Sequence, residues 1–311
     1  MRTTILLLSV DEASLLAQSL PAALAQDAAA EVVVVDNASV DGTAELATRH
    51  GARHLLLAER RSYAAAMNHA IARTEGEAVL MLNADCLLEQ GFLAAALPHL
   101  AETDIGSVAP KLLRAEGLDE LDAAGMYVDR RRKNGLVGFG APAASFSIPG
   151  EAFGADGAAA LYRRETLEDC AVDGEVLDED MELWASDADL AWRARLLGWR
   201  CAYEPRALAR HVRTYSPLTR ERMSEPARRL QFRNRYLMMV KNETPAGLAR
   251  HLPLIAGYEA LALGHVLLRE RHLLAGYRDA WRLLPAARRR RRALQARRRV
   301  AIPPFGLRPR P

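Results

Sequence analysis

At 311 residues, half of them hydrophobic, the chain has room for one large domain or one domain with a helical appendage, and wholesale disorder is excluded. The net charge of +3 conceals a split: residues 206–311 carry 25 Lys or Arg against 6 Asp or Glu, whereas residues 1–205 carry 17 against 33. The cysteines, Cys86, Cys170 and Cys201, stand apart without a CxxC pair, which argues against a disulfide framework or a zinc site and fits a reducing compartment.

The first apolar run, Ile5 to Val10, is too short for a signal sequence, so Thr4 to Val10 reads as a strand. Ala13 to Gln26 reads as a helix entered through Asp11 or Glu12, and Glu31 to Val35 as a second strand suited to burial on both faces. A loop rich in capping residues follows, Asp36 to Thr43, then a helix over Ala44 to His50, a short strand over His54 to Ala58 and a helix over Tyr63 to Arg73. Ala78 to Leu82 is the strand around which the rest is arranged, and Gly91 to Leu100 is a further helix. Strands alternating with helices predict an α/β fold with a parallel, doubly wound sheet.

From Ile105 to about Gly150 the pattern weakens, and Arg130 to Lys133 with the Gly- and Pro-rich stretch after it reads as a long surface loop. Ala158 to Tyr162 is again apolar, Asp173 to Asp189 is acidic, Leu190 to Leu197 is helical and Arg200 to Tyr203 is a strand ended by Glu204-Pro205. Beyond Pro217 only helices are expected. Leu252 to Leu268 is strongly apolar but holds Glu259 and His265, and it reads as an interfacial or core helix, not a crossing. Arg288 to Arg292 and Arg297 to Arg299 form a polybasic segment of the kind that meets an anionic surface.

Three acidic constellations punctuate this frame. Asp36 stands at the tip of a buried strand, where a carboxylate can meet a nucleobase or ribose, although Ser39 and Asp41 beside it also suit a helix cap. Asn83 and Asp85 follow the central strand, at the end of a sheet where ligands bind and where a carboxylate suits a hard cation and a diphosphate. Asp187 and Asp189 open an amphipathic helix, a place that stabilises carboxylates in any case and that also suits a general base. His211 is a lone histidine that could add a ligand to the metal.

The order VVVVDNASVDGT, LNAD, GAAALYRR, SDADLAWRARLLGW and YEPRALARH, with Arg-Asn-Arg-Tyr-Leu and Lys241-Asn242 further on, resembles the family 2 inverting glycosyltransferases of GT-A fold, in their bacterial rhamnosyltransferase-like branch. The likeness covers roughly residues 3 to 285. It implies a Rossmann-like, mostly parallel sheet flanked by helices over residues 1–216, with a helical, Arg-rich extension over 217–311. It implies that Asp36 contacts the nucleotide, that Asn83 and Asp85 form the Asp-x-Asp-type motif, and that Asp85 and His211 bind Mg²⁺ or Mn²⁺. Asp187 then matches the catalytic base, and Asp156, Glu182, Ser186 and Trp192 fall on the acceptor side. The implied donor is a dTDP-, UDP- or GDP-linked sugar, with rhamnose suggested by the branch. The implied acceptor is a cell-envelope glycan or lipid-linked intermediate. The setting is cytoplasmic, peripheral on the inner face of the cell membrane, with the Arg-rich tail on anionic lipid.

Some positions depart from the pattern. Ser186 replaces the usual Glu before the base, with Glu182 as the candidate to replace the missing carboxylate, and Asp156 stands where a small neutral residue or Cys is common. Ser62 replaces a Gly, Arg60 a frequent Asn, and Val10-Asp11 a Tyr-Asn pair. The Ser186 substitution keeps open a second reading, a GT-A-fold pseudoenzyme or nucleotide-sugar-binding scaffold. The Arg-rich segment has no interleaved aromatics, so nucleic acid is not expected as a partner.

Overall fold

The computed structural model describes residues 1–311 except 29, 116–118 and 214–218. The chain runs β1 (Thr3–Ser9), α1 (Ala13–Leu24), β2 (Ala30–Asp36), α2 (Thr43–Arg49), β3 (Arg53–Leu56), α3 (Tyr63–Ile71), β4 (Ala78–Asn83), β5 (Cys86–Leu88) and α4 (Phe92–Ala96). There follow β6 (Ile105–Arg114), β7 (Leu121–Ala124), β8 (Met126–Val128), β9 (Asn134–Leu136), β10 (Gly150–Ala152), β11 (Ala159–Arg163), α5 (Arg164–Cys170), α6 (Ser186–Leu196) and β12 (Arg200–His211). Three helices close the chain: α7 (Glu225–Asn242), α8 (Pro245–Leu268) and α9 (Leu274–Arg297).

The sheet follows the order β10-β12-β6-β11-β4-β1-β2-β3, with β5 beside β12 and β7 beside β6. The expected parallel block is β3-β2-β1-β4. The sheet as a whole is mixed, because β11 enters antiparallel between β4 and β6. Period-two alternation supplies both apolar layers. Leu6, Leu8, Val33 and Val35 pack on one face with Ala64 and Met67 of α3. Ile5, Leu7, Val32 and Val34 pack on the other with Leu16 and Leu20 of α1 and Phe92 of α4.

Two expectations need correcting. β6 lies in the stretch expected to be irregular, and it is buried along nearly its whole length despite Pro110. Proline cannot donate to a ladder. Here Pro110 faces Glu204, where β12 shifts register between Glu204 and Leu208, so the missing N–H falls at an irregularity. For the same reason β12 does not stop at Pro205 but continues to His211. The second concerns Arg130 to Lys133, which is the turn of the β8–β9 hairpin and not a free loop. Arg132 is fully buried, donating to Glu243 at 2.5 Å and to the Gly247 carbonyl at 3.1 Å, with its guanidinium 3.8 Å over the Phe305 ring.

The expected domain boundary at 216 falls in residues 214–218, outside those described. The helices beyond it share the core of what precedes them: Leu237, Met238, Ala287, Leu294 and Phe305 belong to the same apolar cluster as Trp192 and Phe153. Charge completes the join. Arg290 meets Glu175 at 2.9 Å, Asp178 at 3.1 Å and Asp180, and Arg289 meets Asp173 at 2.9 Å. Arg297 donates to the Asp169 and Ala171 carbonyls, and Arg299 to that of Leu197. Of the polybasic segment expected to face lipid, Arg290 is buried against the acidic half of the same chain, while Arg289, Arg297 and Arg299 bond to that half from exposed positions.

Candidate active site

The register of the parallel block decides which polar residues meet. Ser9 pairs with Asp36 and Leu8 with Asn83, so the ends of β1, β2 and β4 lie level at the carboxyl edge of the sheet. Asp36 is 1% exposed; its Oδ1 accepts from the Ser39 amide at 2.8 Å and its Oδ2 lies 2.9 Å from His54 Nε2. Its carboxylate folds the 36–43 loop instead of standing free at the strand tip. Asn37 exchanges two hydrogen bonds of 2.8 Å with the backbone of Arg61, which ties this loop to the start of α3. Of the residues read as helix caps, Asp41 accepts from the Thr43 amide at 3.0 Å at the head of α2, and they also act across loops. Asp41 accepts from the Ala13 amide at 2.8 Å, and Asp11 accepts from the Val40 amide at 2.8 Å and pairs with Arg60.

A second group forms where β5 returns along β12. The pairing of His211 with Cys86 brings the imidazole to Asp85, Nε2 to Oδ2 3.3 Å. On its other side His211 Nδ1 lies 2.9 Å from Asp122, a residue of β7 that is completely buried. Burial pulls the imidazole pKa down, but hydrogen bonds to Asp122 and Asp85 outweigh it and hold the ring up at about 9. Arg213 donates to Asp122 at 2.6 Å and to Asp156 at 2.8 Å, so Asp156 is a bound counter-ion. Neither Asp122 nor Arg213 was singled out in the sequence. The available signal was a lone acid inside the apolar run Leu121 to Ala124.

Among the described residues, no three His, Cys, Asp or Glu side chains converge on one metal-sized space. Two oxygens nevertheless lack partners where a cation would need them: Oδ1 of Asn83 and Oδ1 of Asp85 are buried and accept no hydrogen bond. An unsatisfied buried acceptor is costly unless a ligand completes it. These oxygens, joined by His211 Nε2 once its proton is displaced, make a donor set that a divalent cation accepts, so the residues present fit such an ion.

The third group is built around Asp187, in the first turn of α6. Its Oδ2 accepts from the Gly157 amide at 3.2 Å and its Oδ1 from its neighbour Ala188 at 2.8 Å. Burial and then the Asp156 charge push its carboxyl up to about 6, although both amides and Arg213 pull the other way. A carboxylate poised there is a competent base near neutrality. The Tyr63 hydroxyl donates to the Gly157 carbonyl at 3.4 Å, and burial raises its pKa, so it stays protonated.

The approach to Asp187 is strained, with φ of 55° at Glu182, 64° at Trp184 and 61° at Ala185. It is held from α7: the Asn234 amide lies 2.5, 2.8 and 3.1 Å from the carbonyls of Met181, Leu183 and Trp184. Arg233 adds bonds to the Asp180 carbonyl at 2.7 Å and to Glu182 at 2.9 Å. Glu182 is thereby drawn to Arg233 and, among the described residues, makes no hydrogen bond to Asp187, so it does not stand in for the missing Glu. Ser186 is buried beside the base as the first residue of α6. Trp192 is corrected outright as an acceptor contact. It is 0% exposed, edge-on to Phe305 at 5.1 Å, because its place further along α6 turns it into the core. Asp189 also serves packing, bonded to Arg193, Lys241 and Asn242 at 2.8–2.9 Å.

Fold and site together define an α/β protein with an acidic site along the carboxyl ends of its strands. The model of Glycosyl transferase family 2 matches residues 4–170, more than half of the chain, and the chain belongs to that family. The match ends before Asp187 and His211. No curated protein matches the chain. Among solved structures it is similar to the mannosyltransferase PcManGT of Pyrobaculum calidifontis in complex with GDP-Man and Mn²⁺, at 22% identity and TM-score 0.54, over 95% of this chain and 84% of that one. It is also similar to S. aureus TarS residues 1–349 in complex with UDP-GlcNAc, at 16% identity and TM-score 0.64, over 95% and 91% of the two chains. GalNAc-T7 with UDP, GalNAc and Mn²⁺ aligns at 13% identity and TM-score 0.60, over 78% of this chain and 48% of that one. The fold is the GT-A fold of these enzymes, with a helical C-terminal region. The chain is thus a glycosyltransferase of family 2, a class that takes its sugar from a nucleotide sugar.

Proposed function

We propose that the chain moves a hexosyl unit, rhamnose being the first to try, from a nucleoside-diphosphate donor to a hydroxyl of a cell-envelope glycan or lipid-linked acceptor, with inversion. The site of action is the cytoplasmic face of a cell membrane. The observation that carries this reading is the unbroken polar chain from Asp85 through His211, Asp122, Arg213 and Asp156 to the vicinity of Asp187. It couples a cation-suited end to a base-suited end. Asp187 takes the proton from the acceptor hydroxyl as that oxygen forms its bond to the anomeric carbon. The bond from that carbon to the diphosphate oxygen breaks on the opposite face, and the nucleoside diphosphate departs with the electron pair. Asp36 serves the nucleotide through the 36–43 loop that it folds. Asp85 and His211, with Asn83 alongside, are the residues that would hold Mg²⁺ or Mn²⁺. Such an ion, when bound, offsets the charge of the leaving diphosphate.

The test is a thermal-shift panel of dTDP, UDP and GDP sugars with Mg²⁺, Mn²⁺ or EDTA, followed by transfer assays with Asp187→Asn. One donor should raise the melting temperature in a metal-dependent way, since a ligand of the native state stabilises it by mass action. Asp85→Ala should abolish that shift, and Asp187→Asn should keep it while losing transfer. Binding without transfer by the unaltered protein would favour the scaffold reading, which rests on Ser186. No shift with any donor would sink the transferase reading.

A further inference from the structure

α8 is 24 residues long, about 36 Å, and apolar enough to cross a bilayer, yet most of its surface is open. Its inner face is fixed to the protein along its length. Gly247 receives Arg132, Ile255 and Val266 are buried, and Glu259 accepts from the Tyr236 hydroxyl at 2.6 Å and pairs with Arg235 at 2.7 Å. Glu259, the charge that made the sequence look unsuited to crossing a bilayer, is thus turned inward and paired. The outer face is different. Leu252 is 52%, Leu261 76% and Leu268 79% exposed, with Leu254 and Leu263 between them. Ala, Gly and Pro fill the gaps as far as Gly264, and His265 beyond them is exposed and paired with Glu270. Between Arg250 and His265 that face carries no charge.

The rim of this face has one sign. Between residues 245 and 285 the acids are Glu259, Glu270 and Asp279, and each is paired with arginines from α7 or the segment before it. Arg250, Arg269 and Arg278 are exposed, and among the described residues no side-chain hydrogen bond or ion pair engages them. At the amino end of α8 a groove of about 410 Å³ lies between Met239, Val240, Pro245, Leu248 and Leu284; Arg288 and Arg291 line it, as does Glu243, which is paired with Arg132. On α9 Trp281 is 74% exposed, with Arg278 and Arg282 close to it in sequence.

We infer that the outer face of α8 lies flat in an anionic phospholipid surface, with its leucines among the acyl chains and the flanking arginines among the headgroup phosphates. A monotopic amphipathic helix works in this way, by buried apolar area plus attraction to anionic lipid. Crossing is ruled out by the inner face, whose Glu259, Arg235 and Arg132 contacts would have to break. A second copy on the same face fits less well, because two such faces would bring unpaired arginines together with no acid to meet them. The attachment is thus placed on α8, and the exposed arginines of the polybasic segment add to the positive charge around it.

The experiment is flotation of the full chain with vesicles of phosphatidylcholine alone or with about a third phosphatidylglycerol. Its variant is Leu252→Gln/Leu261→Gln/Leu268→Gln, all at exposed positions. The unaltered protein should float with the anionic vesicles, and the triple variant should bind them at least about tenfold more weakly. Circular dichroism and the donor-induced thermal shift should be the same for both proteins. That shift reads the donor site separately, so loss of lipid binding and loss of the transferase reading are distinguishable. The inference falls if the unaltered protein stays with the soluble fraction, or if the triple variant floats equally well. It also falls if sedimentation shows a dimer that the triple substitution dissolves while vesicles bind neither protein.

Discussion

Asn234 holds Asp187 in place without touching it. Its amide binds the carbonyls of Met181, Leu183 and Trp184, and so sets three of the five residues that lead into the base. With left-handed φ at three positions in 182–185, this segment has no reason to keep its shape alone. Asn234→Ala should therefore lower kcat about a hundredfold with the donor KM little changed. The global cost should be about 1–3 kcal/mol for the carbonyls left unpaired. Steady-state kinetics and urea unfolding measure the two effects separately, and a parallel rise in donor KM would contradict the assignment.

Because burial and Asp156 raise the Asp187 carboxyl to about 6, catalysis should have an acid limb there. The base works only when deprotonated, so kcat/KM should fall as pH drops through about 6 and stay flat above it. Asp156→Asn removes a charge that raises this pKa, and should carry the limb to lower pH. The pH–rate profile of the two proteins is the check.

Glu204 gives the clearest link between pH and stability. Burial raises its pKa, but hydrogen bonds from Arg206 and His99 prevail and bring it down to about 2. A carboxyl depressed from 4.5 contributes stability that is fully present above pH 4.5 and is lost as pH falls toward 2. Glu204→Gln should flatten the acid side of the stability curve and leave the slope above pH 5.5 or so unchanged. Urea midpoints measured across that range test it.

Phe305 closes the core from the far end of the chain, against Trp192 at 5.1 Å, Phe153 at 6.1 Å and the Arg132 guanidinium at 3.8 Å. Phe305→Ala should cost about 3–5 kcal/mol, since it opens a cavity and leaves a buried cation without its ring. Thermal unfolding is the measurement, and a loss below about 1 kcal/mol would mean that this end is only draped over the surface.

The parallel block was legible because its strands are pure apolar runs and its functional acids sit where such runs stop. Val79 to Leu82 followed by Asn83 and Asp85 could be read directly, and so could Asp187 at the head of a helix. Failures came where distant residues decide. β6 was hidden by Pro110, whose missing N–H is absorbed by an irregularity in a strand about a hundred residues later. Arg132 looked like surface because local charge says nothing of Glu243 and Phe305, which take it into the interior. Asp122 and Arg213 needed the pairing of β7 and β12 with β6 before they could be seen beside His211.

The ion pairs that α9 makes with the acidic half also bear on how the molecule is made. The acidic run around Asp178 leaves the ribosome on the order of ten seconds before Arg290, at ordinary elongation rates. In that interval Asp178 and Asp180 have no Arg290, and Asp189 has no Lys241. The nascent half is a polyanion with an unclosed core, and the segment leading into Asp187 still lacks Asn234. The molecule therefore carries its counter-ions in its own later sequence, and folding of the site has to wait for their synthesis.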